Sequence, residues 1–234
     1  MTNVIATDKT NTANPMGLSE QHDFTKPLLV SKMTGKLEGF RAINTNTLSN
    51  AFCIAMANHK NPDVICTNCY SVDMLLTSRK NCVSPWERNS QILSTLDLKD
   101  PDNMHHIPRF MPGEYVRFSG HGELINELHM DNLVTIAEAN PRAYVVLWTK
   151  RAKLVKKYTD NGNALLPKNM HLIYSNARSD RIQTKPPTGF EKVFNAIDPA
   201  HRKPEHNVNC HAKCRDCMIC YELNDIKVIV EVMK

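Results

Sequence analysis

Three short segments, spaced by two helix-length stretches, limit the folds open to this chain. Glu114-Tyr-Val-Arg-Phe-Ser119 is rich in β-formers and reads as a strand. Ala143-Tyr-Val-Val-Leu-Trp-Thr149 is a near-continuous apolar run, the pattern of a strand buried on both faces. Met170-His-Leu-Ile-Tyr-Ser175 repeats that pattern. Between them lie two helical stretches. In the first, about Ile125 to Ala139, residues Ile125, Leu128, Leu133, Ile136 and Ala137 share roughly one side before Asn140-Pro141 ends it. The second is basic, Arg151 to Tyr158, and ends before Asn161-Gly162. A β-α-β-α-β order at this spacing means parallel strands joined by crossover helices.

The flanks extend the pattern. Phe40-Arg-Ala-Ile-Asn-Thr-Asn-Thr47 reads as a short strand entering a polar loop. Met74 to Leu96 reads as mostly helical, broken near Ser84-Pro85 because proline lacks a donor and clashes with the preceding turn. Lys192 to Ile197 and Asp225 to Met233 are further strands. The expected class is α/β, a partial (β/α) barrel-like parallel sheet of five or six strands with a cysteine-rich C-terminal cluster-binding segment. Residues 1–26, polar and aperiodic, are expected to form a poorly ordered or extended arm, 27–200 the core with the first cysteine group, and 201–234 the cysteine-rich segment and closing strand.

Composition excludes several classes. With 23% charged and 41% hydrophobic residues in 234, the chain is neither wholly disordered nor collagen-like. No stretch approaches the roughly 18–20 apolar residues of a membrane span. Met1 to Lys26 has no basic region followed by an apolar one, so export is not expected. A net charge of +5 permits a nucleic-acid partner without demanding one.

Cysteine is the unusual residue. There are eight, and four fall within eleven positions, in Cys210-His-Ala-Lys-Cys214-Arg-Asp-Cys217-Met-Ile-Cys220. In a reducing cytoplasm such clusters bind metal more often than they form disulfides. Short gaps let successive thiolates converge on one small object, and a [4Fe-4S] cubane accepts such a run. Structural zinc usually takes two separated pairs and is the alternative. His211 reads as a solvated neighbour. The second group is looser. Cys66 and Cys69 are two residues apart, with Cys53 twelve residues upstream and Cys82 twelve downstream. Four ligands would close the site, whereas three leave an iron open to a small molecule. Cys82 falls inside an expected helix, so the favoured set is Cys53, Cys66 and Cys69, with Cys82 a buried apolar residue.

Two of the chain's eight glycines lie in Gly120-His-Gly-Glu123, after a strand and before a helix. In a parallel sheet that is the carboxyl edge, where ligands bind. Glycine there serves close approach or positive φ. Glu123 can accept a hydrogen bond from an ammonium group, or can simply favour a helix start. Lys150 follows the next strand and Ser175 and Asn176 the one after, so Gly120, Gly122, Glu123, Lys150, Ser175 and Asn176 are candidates for one cofactor pocket. Taken singly, Arg151 and Arg178 read as solvated. Arg117, inside a strand, is either a paired buried charge or part of the cavity. Lys150 to Lys157 reads as a solvated face or a phosphate contact, and His105-His106 as a loop pair.

Several of these segments resemble the phage "gene product 88" family. They are Phe40 to Thr47 with Phe52-Cys53, Ile65-Cys-Thr-Asn-Cys-Tyr70, Glu87-Arg-Asn-Ser90, Arg117-Phe-Ser-Gly-His-Gly-Glu-Leu124, Asn140-Pro141, Leu147-Trp-Thr-Lys150 and the run ending in Cys220-Tyr221. The resemblance spans about residues 36–221 and implies a phage or mobile-element protein working in the cytoplasm of a bacterial host. A more distant resemblance is to radical S-adenosylmethionine (radical SAM) enzymes. Cys53, Cys66 and Cys69 look like their three-cysteine motif with the first gap expanded from three residues to twelve. Gly120, Gly122 and Glu123 look like their Gly-Gly-Glu-Pro segment, with Leu124 in place of proline. This resemblance implies one or two [4Fe-4S] clusters, S-adenosylmethionine held at the open iron with Glu123 near its amine, an electron donor, and the Cys210–Cys220 run as an auxiliary cluster site. The substrate class, small molecule or nucleic acid, is left open. The other class of expectation is a non-catalytic iron–sulfur or zinc protein that binds nucleic acid or a host protein.

Overall fold

The structure, a computed structural model, describes residues 24–160 and 166–233. Seven strands form one sheet, β1 (Val30–Lys32), β2 (Arg41–Ile43), β3 (Tyr115–Phe118), β4 (Tyr144–Thr149), β5 (Met170–Ser175), β6 (Lys192–Ile197) and β7 (Val228–Val232). They lie side by side in sequence order. β1 is antiparallel to β2, and every later pair is parallel. The sheet is open among the described residues, so the architecture is α/β with a mostly parallel sheet. The helices are α1 (Ala51–Ala57), α2 (Tyr70–Leu76), α3 (Val83–Thr95), α4 (Glu127–Glu138), α5 (Ala152–Asp160) and α6 (Cys214–Cys217).

Alternation along the strands separates two cores. Val145 and Leu147 of β4, Val116 and Phe118 of β3, and Met170 and Leu172 of β5 face one side. There they meet Ile92 and Leu93 of α3, Leu133, Val134 and Ile136 of α4, and Val155 and Tyr158 of α5. The intervening Val146, Trp148 and Ile173 face the other side, where Phe40, Ile229, Tyr221 and Cys220 cover them. The helices therefore cover one face and the cysteine-rich segment covers the other. β7 pairs along β6, so that segment is held between two strands of the same sheet.

The expected strands from Glu114, Ala143, Met170, Lys192 and Asp225 are all present. Phe40 to Thr47 does contain a strand that runs into a polar loop. β1 was not anticipated. Three residues in an antiparallel edge strand carry no period to read, so the sheet has seven strands rather than five or six. The helical region from Met74 breaks at Thr77–Arg79 and not at Ser84-Pro85. Pro85 is the third residue of α3, where a missing N–H costs nothing because first-turn donors have no intrahelical partner. α4 begins at Glu127, later than expected, because the Asn126 side chain accepts from His129 N at 2.9 Å and caps it. Of the expected N-terminal arm, residues 1–23 lie outside the described residues and Phe24–Lys26 form a turn and bend.

Gly122 is where the sheet edge tolerates least change. Its φ is +78°, and an added Cβ would stand 2.0 Å from Thr45 Oγ1 and 2.6 Å from Thr45 O. Gly189 has φ +86° but nothing within 4 Å. Gly122→Ala is expected to cost about 2–5 kcal/mol, strain plus overpacking, against about 1–2 kcal/mol for Gly189→Ala. Denaturant midpoints at unchanged slope measure the difference.

Candidate metal centres

The first cysteine group is built on a buried polar loop. Asn44, Thr45, Asn46 and Thr47 follow β2 and are all buried. Buried polar groups need partners, and neighbouring elements supply most of them. Asn46 Nδ2 donates to Glu87 Oε2 at 2.8 Å, and Asn46 N donates to Ser90 Oγ at 2.9 Å. Asn44 O accepts from Asn89 Nδ2, and Asn44 Oδ1 accepts from His121 N, both at 2.9 Å. The Thr47 hydroxyl meets that of Ser71 at 2.6 Å and accepts from Gly122 N at 3.0 Å. His121 Nδ1 pairs with Ser71 Oγ at 2.8 Å, and its ring packs on Trp86. The glycine loop thus approaches something closely, as expected of its composition, and that something is the chain's own β2 loop.

Asn50 then caps α1, accepting from Phe52 N and Cys53 N, while its amide donates to Glu123 O at 2.9 Å. Cys53 is in the first turn of α1, Cys66 in a one-turn 3-10 helix (Ile65–Asn68), and Cys69 caps α2. The turn carrying Cys66 is tied to the far side of the carboxyl edge. Ile65 N donates to Ala177 O and Ser179 N to Asp63 O, each at 2.9 Å, and Val64 bridges to Arg178. The segment from β2 therefore spans the carboxyl ends of β3 and β4 to reach that of β5.

Glu123 is 5% exposed and links β3 to β4. Its Oε1 accepts from Leu124 N at 2.8 Å and Thr149 Oγ1 at 2.5 Å, and its Oε2 accepts from Lys150 N at 2.8 Å. It is not a helix-start residue, since Asn126 takes that place. A carboxylate offers about four acceptor sites, so one remains on Oε2. Burial pushes the Cys53 thiol well above its ordinary pKa, reinforced by Glu123, Cys69 and Cys66 and opposed by Lys150. Cys66 is likewise raised by burial and drawn down by Lys150. Burial lowers Lys150, but Cys66, Glu123, Tyr70 and Cys69 outweigh it and hold the ammonium above its usual value. Three thiols, a carboxylate and an ammonium thus share one electrostatic neighbourhood. Cys82 acts on none of them. It closes a 3-10 turn before α3 and is half-buried, not the buried apolar residue expected.

The second group lies on the opposite face of the sheet from α3–α5. Cys210 N donates to Val230 O at 3.0 Å beside β7. Cys214 and Cys217 bound α6, and Met218, at φ 54°, turns the chain toward Cys220 and Tyr221. The buried Lys192 side chain pins this turn, donating to Ile219 O at 2.5 Å, Asn224 Oδ1 at 2.7 Å and Glu222 O at 3.0 Å. Lys36 Nζ donates to Cys210 Sγ at 3.2 Å and pairs with Glu231. Burial raises Cys210, Cys214 (to about 11) and Cys220, neighbouring thiols of the group add to each rise, and Lys36 or Arg117 opposes it. A cavity of about 570 Å³ opens beside Cys210, lined also by Lys36, His211 and Lys213. His211 is exposed there.

A single zinc ion needs thiolates roughly 3.8 Å apart, from tetrahedral bonds of about 2.3 Å. Among the described residues no group of three or more His, Cys, Asp or Glu converges that closely. In both sets, neighbouring thiols act on one another's ionisation.

The remaining candidates separate. Ser175 shares the face of Ile173 at the end of β5. The Asn176 amide is spent on Arg181 O in its own loop at 2.6 Å and on Asn195 Oδ1 of β6 at 3.0 Å, donating to both. Arg151 donates to Leu124 O and Ile125 O and covers the Phe52 ring, so it is structural rather than merely solvated. In the basic run, Lys156 pairs with Asp160 and Lys157 with Glu127. Lys36, Lys192 and Tyr221 were not singled out from sequence. Only Lys192, a charge heading an apolar strand, left a signal. Comparison with protein-family profiles, curated proteins and solved structures gives no match to this chain.

The loop network carries a pH signature. Burial lowers His121 to about 4, helped by Arg79 and Arg117, and lowers His129 to about 3, helped by Arg151. Both are neutral when folded, with an ordinary value of 6.5. Their contribution is complete above about pH 6.5 and is lost as pH falls toward the folded values. Between pH 6 and 4 each adds a slope of up to about 1.4 kcal/mol per pH unit. His129→Gln is expected to flatten the acid limb of a stability–pH curve by about that amount.

Proposed function

We propose that this chain is an iron–sulfur protein with two cysteine-held centres and radical SAM-type chemistry at the first. Cys53, Cys66 and Cys69 would hold one [4Fe-4S] cluster with an open iron, and Cys210, Cys214, Cys217 and Cys220 a second. The observation that carries this reading is the meeting of three thiols with Glu123 and Lys150 over adjacent strand ends. Strand order supports it, since parallel strands in sequence order are the arrangement of a (β/α) barrel, and we read this sheet as a partial one. The resemblance to a phage family adds a host bacterial cytoplasm to the proposal.

Cys53, Cys66 and Cys69 would hold the cluster, which, when bound, would supply one-electron reduction of S-adenosylmethionine and so hydrogen-abstraction chemistry. This chain's own residues have simpler tasks. The free acceptor position on Glu123 Oε2 receives an N–H of the methionine ammonium. Lys150, whose ammonium makes no hydrogen bond or ion pair among the described residues, would be available to a carboxylate on the cofactor or substrate. The segment from Asn58 to Cys69 is tied across to Ala177 and would form one wall of the site. Since burial keeps Cys53 and Cys66 protonated, loading must displace their protons. A nucleic-acid role gains little from the basic run, whose Lys156 and Lys157 are engaged in ion pairs.

Metal and sulfide analysis of anaerobically purified protein tests the centres. At four irons per cubane, about eight are expected, falling to about four in Cys66→Ala and in Cys210→Ala and unchanged in Cys82→Ala. Zinc instead of iron would overturn the reading. With full clusters and dithionite, absence of 5′-deoxyadenosine would remove the radical chemistry alone. Glu123→Gln should keep its iron but bind S-adenosylmethionine about 10–100-fold more weakly, the loss of a hydrogen bond to a charged group.

A further inference from the structure

The face of the sheet beneath the cysteine segment holds donors with nothing to donate to. Arg117 Nε, Trp148 Nε1 and the Tyr221 hydroxyl are buried and have no hydrogen-bond partner. Trp148 is 8% exposed and Tyr221 1%. Leaving buried donors unpaired is costly, and each such group requires an explanation. The three are neighbours. The Arg117 guanidinium carbon is 4.3 Å from the centre of the Trp148 ring. Tyr221 lies in the same buried apolar group as Trp148.

What covers them is the cysteine segment itself. Trp148 and Tyr221 belong to the same apolar group as Cys220, with Cys210, Cys214, Met218 and Ile219 packed against it. Some of its carbonyls are engaged. Cys210 O accepts from Lys36, Cys214 O from Met218 N, Met218 O from Tyr221 N, and Ile219 O from Lys192. Cys220 is buried in the same group as Trp148 and Tyr221, which puts its sulfur among the acceptors on this face.

We propose that Arg117, Trp148 and Tyr221 donate hydrogen bonds to the sulfurs of the C-terminal centre and set its reduction potential. The inference rests on the iron–sulfur reading above. Donors and a fixed positive charge favour the more negative, reduced form of a thiolate-bound cluster and so raise its potential. One electron enters from an external reductant, and the three side chains stay chemically unchanged. They are positioning groups, acting on the centre through its ligands and sulfides.

A dithionite titration followed by electron paramagnetic resonance tests the proposal in a Cys66→Ala background, which leaves the C-terminal centre alone. Trp148→Phe and Tyr221→Phe each remove one donor and nearly preserve shape. Arg117→Met removes donor and charge. All three should keep their iron and titrate at lower potential, with Arg117→Met shifting the oxidised-to-reduced ratio at fixed potential at least tenfold, about 59 mV for one electron. Arg117→Lys, which keeps the charge, should fall between. Variants that keep iron and titrate at the parent potential would overturn the proposal and leave the iron–sulfur reading standing. So would variants that all lose the centre, since the three groups would then hold the segment rather than tune it. If Arg117→Met alone loses iron, the phenylalanine variants decide. An iron-free parent protein would remove both readings.

Discussion

A parallel sheet whose strands follow one another in sequence takes its crossover helices on a single face, and its other apolar face must still be kept from water. In this protein that second requirement shapes the C-terminal third. Phe40, Val146, Trp148, Ile173 and Ile229 would be exposed without the segment from Cys210 to Tyr221. Burying such a surface is worth about 25 cal/mol per Å² of apolar area. The segment is too short for a helix of useful length, and α6 has only four residues. Its shape is held by anchors instead. They are the Lys192 ammonium on its carbonyls, Lys36 at Cys210, and the backbone pairing of Cys210 to Val230. Thiols fit here because cysteine buries as a small hydrophobe until something draws off its proton.

The two cysteine groups differ in their surroundings. The first lies over strand ends, with Glu123 engaged at both oxygens and Asn44 Nδ2 and Thr45 Oγ1 left without partners in the loop beneath. The second lies against a face where three donors are unpaired. In both, burial holds thiols protonated while lysine or arginine acts in the opposite direction. The polypeptide thus places cations near sites where negative charge is costly.

Legibility in the sequence followed the length and regularity of each element. β4 and β5 announce themselves because six residues buried on both faces leave an unbroken apolar run. β1 does not, because three residues on an antiparallel edge leave no pattern. The break before α3 was misplaced because Pro85 looks like an interruption, yet it occupies a first turn that has no use for its missing donor. Glycine poverty did mark Gly122 as a close-approach position, but only the fold shows that Thr45 is what it approaches. Spacing grouped the cysteines. It could not show that the Cys66 turn is fastened to the end of β5, or that a lysine starting a strand reaches thirty residues along the chain to pin the Cys220 turn.

The chain passes through its cysteine-rich stretch before laying down its last strand. β7 therefore arrives only after that stretch has been threaded across the sheet, and its far edge is occupied by Asn209 and Cys210. If the stretch were pulled away, the outermost strand would lose that cover and offer bare backbone to any neighbouring chain. Damage to the thiols would in this way turn a local chemical injury into a tendency to self-associate.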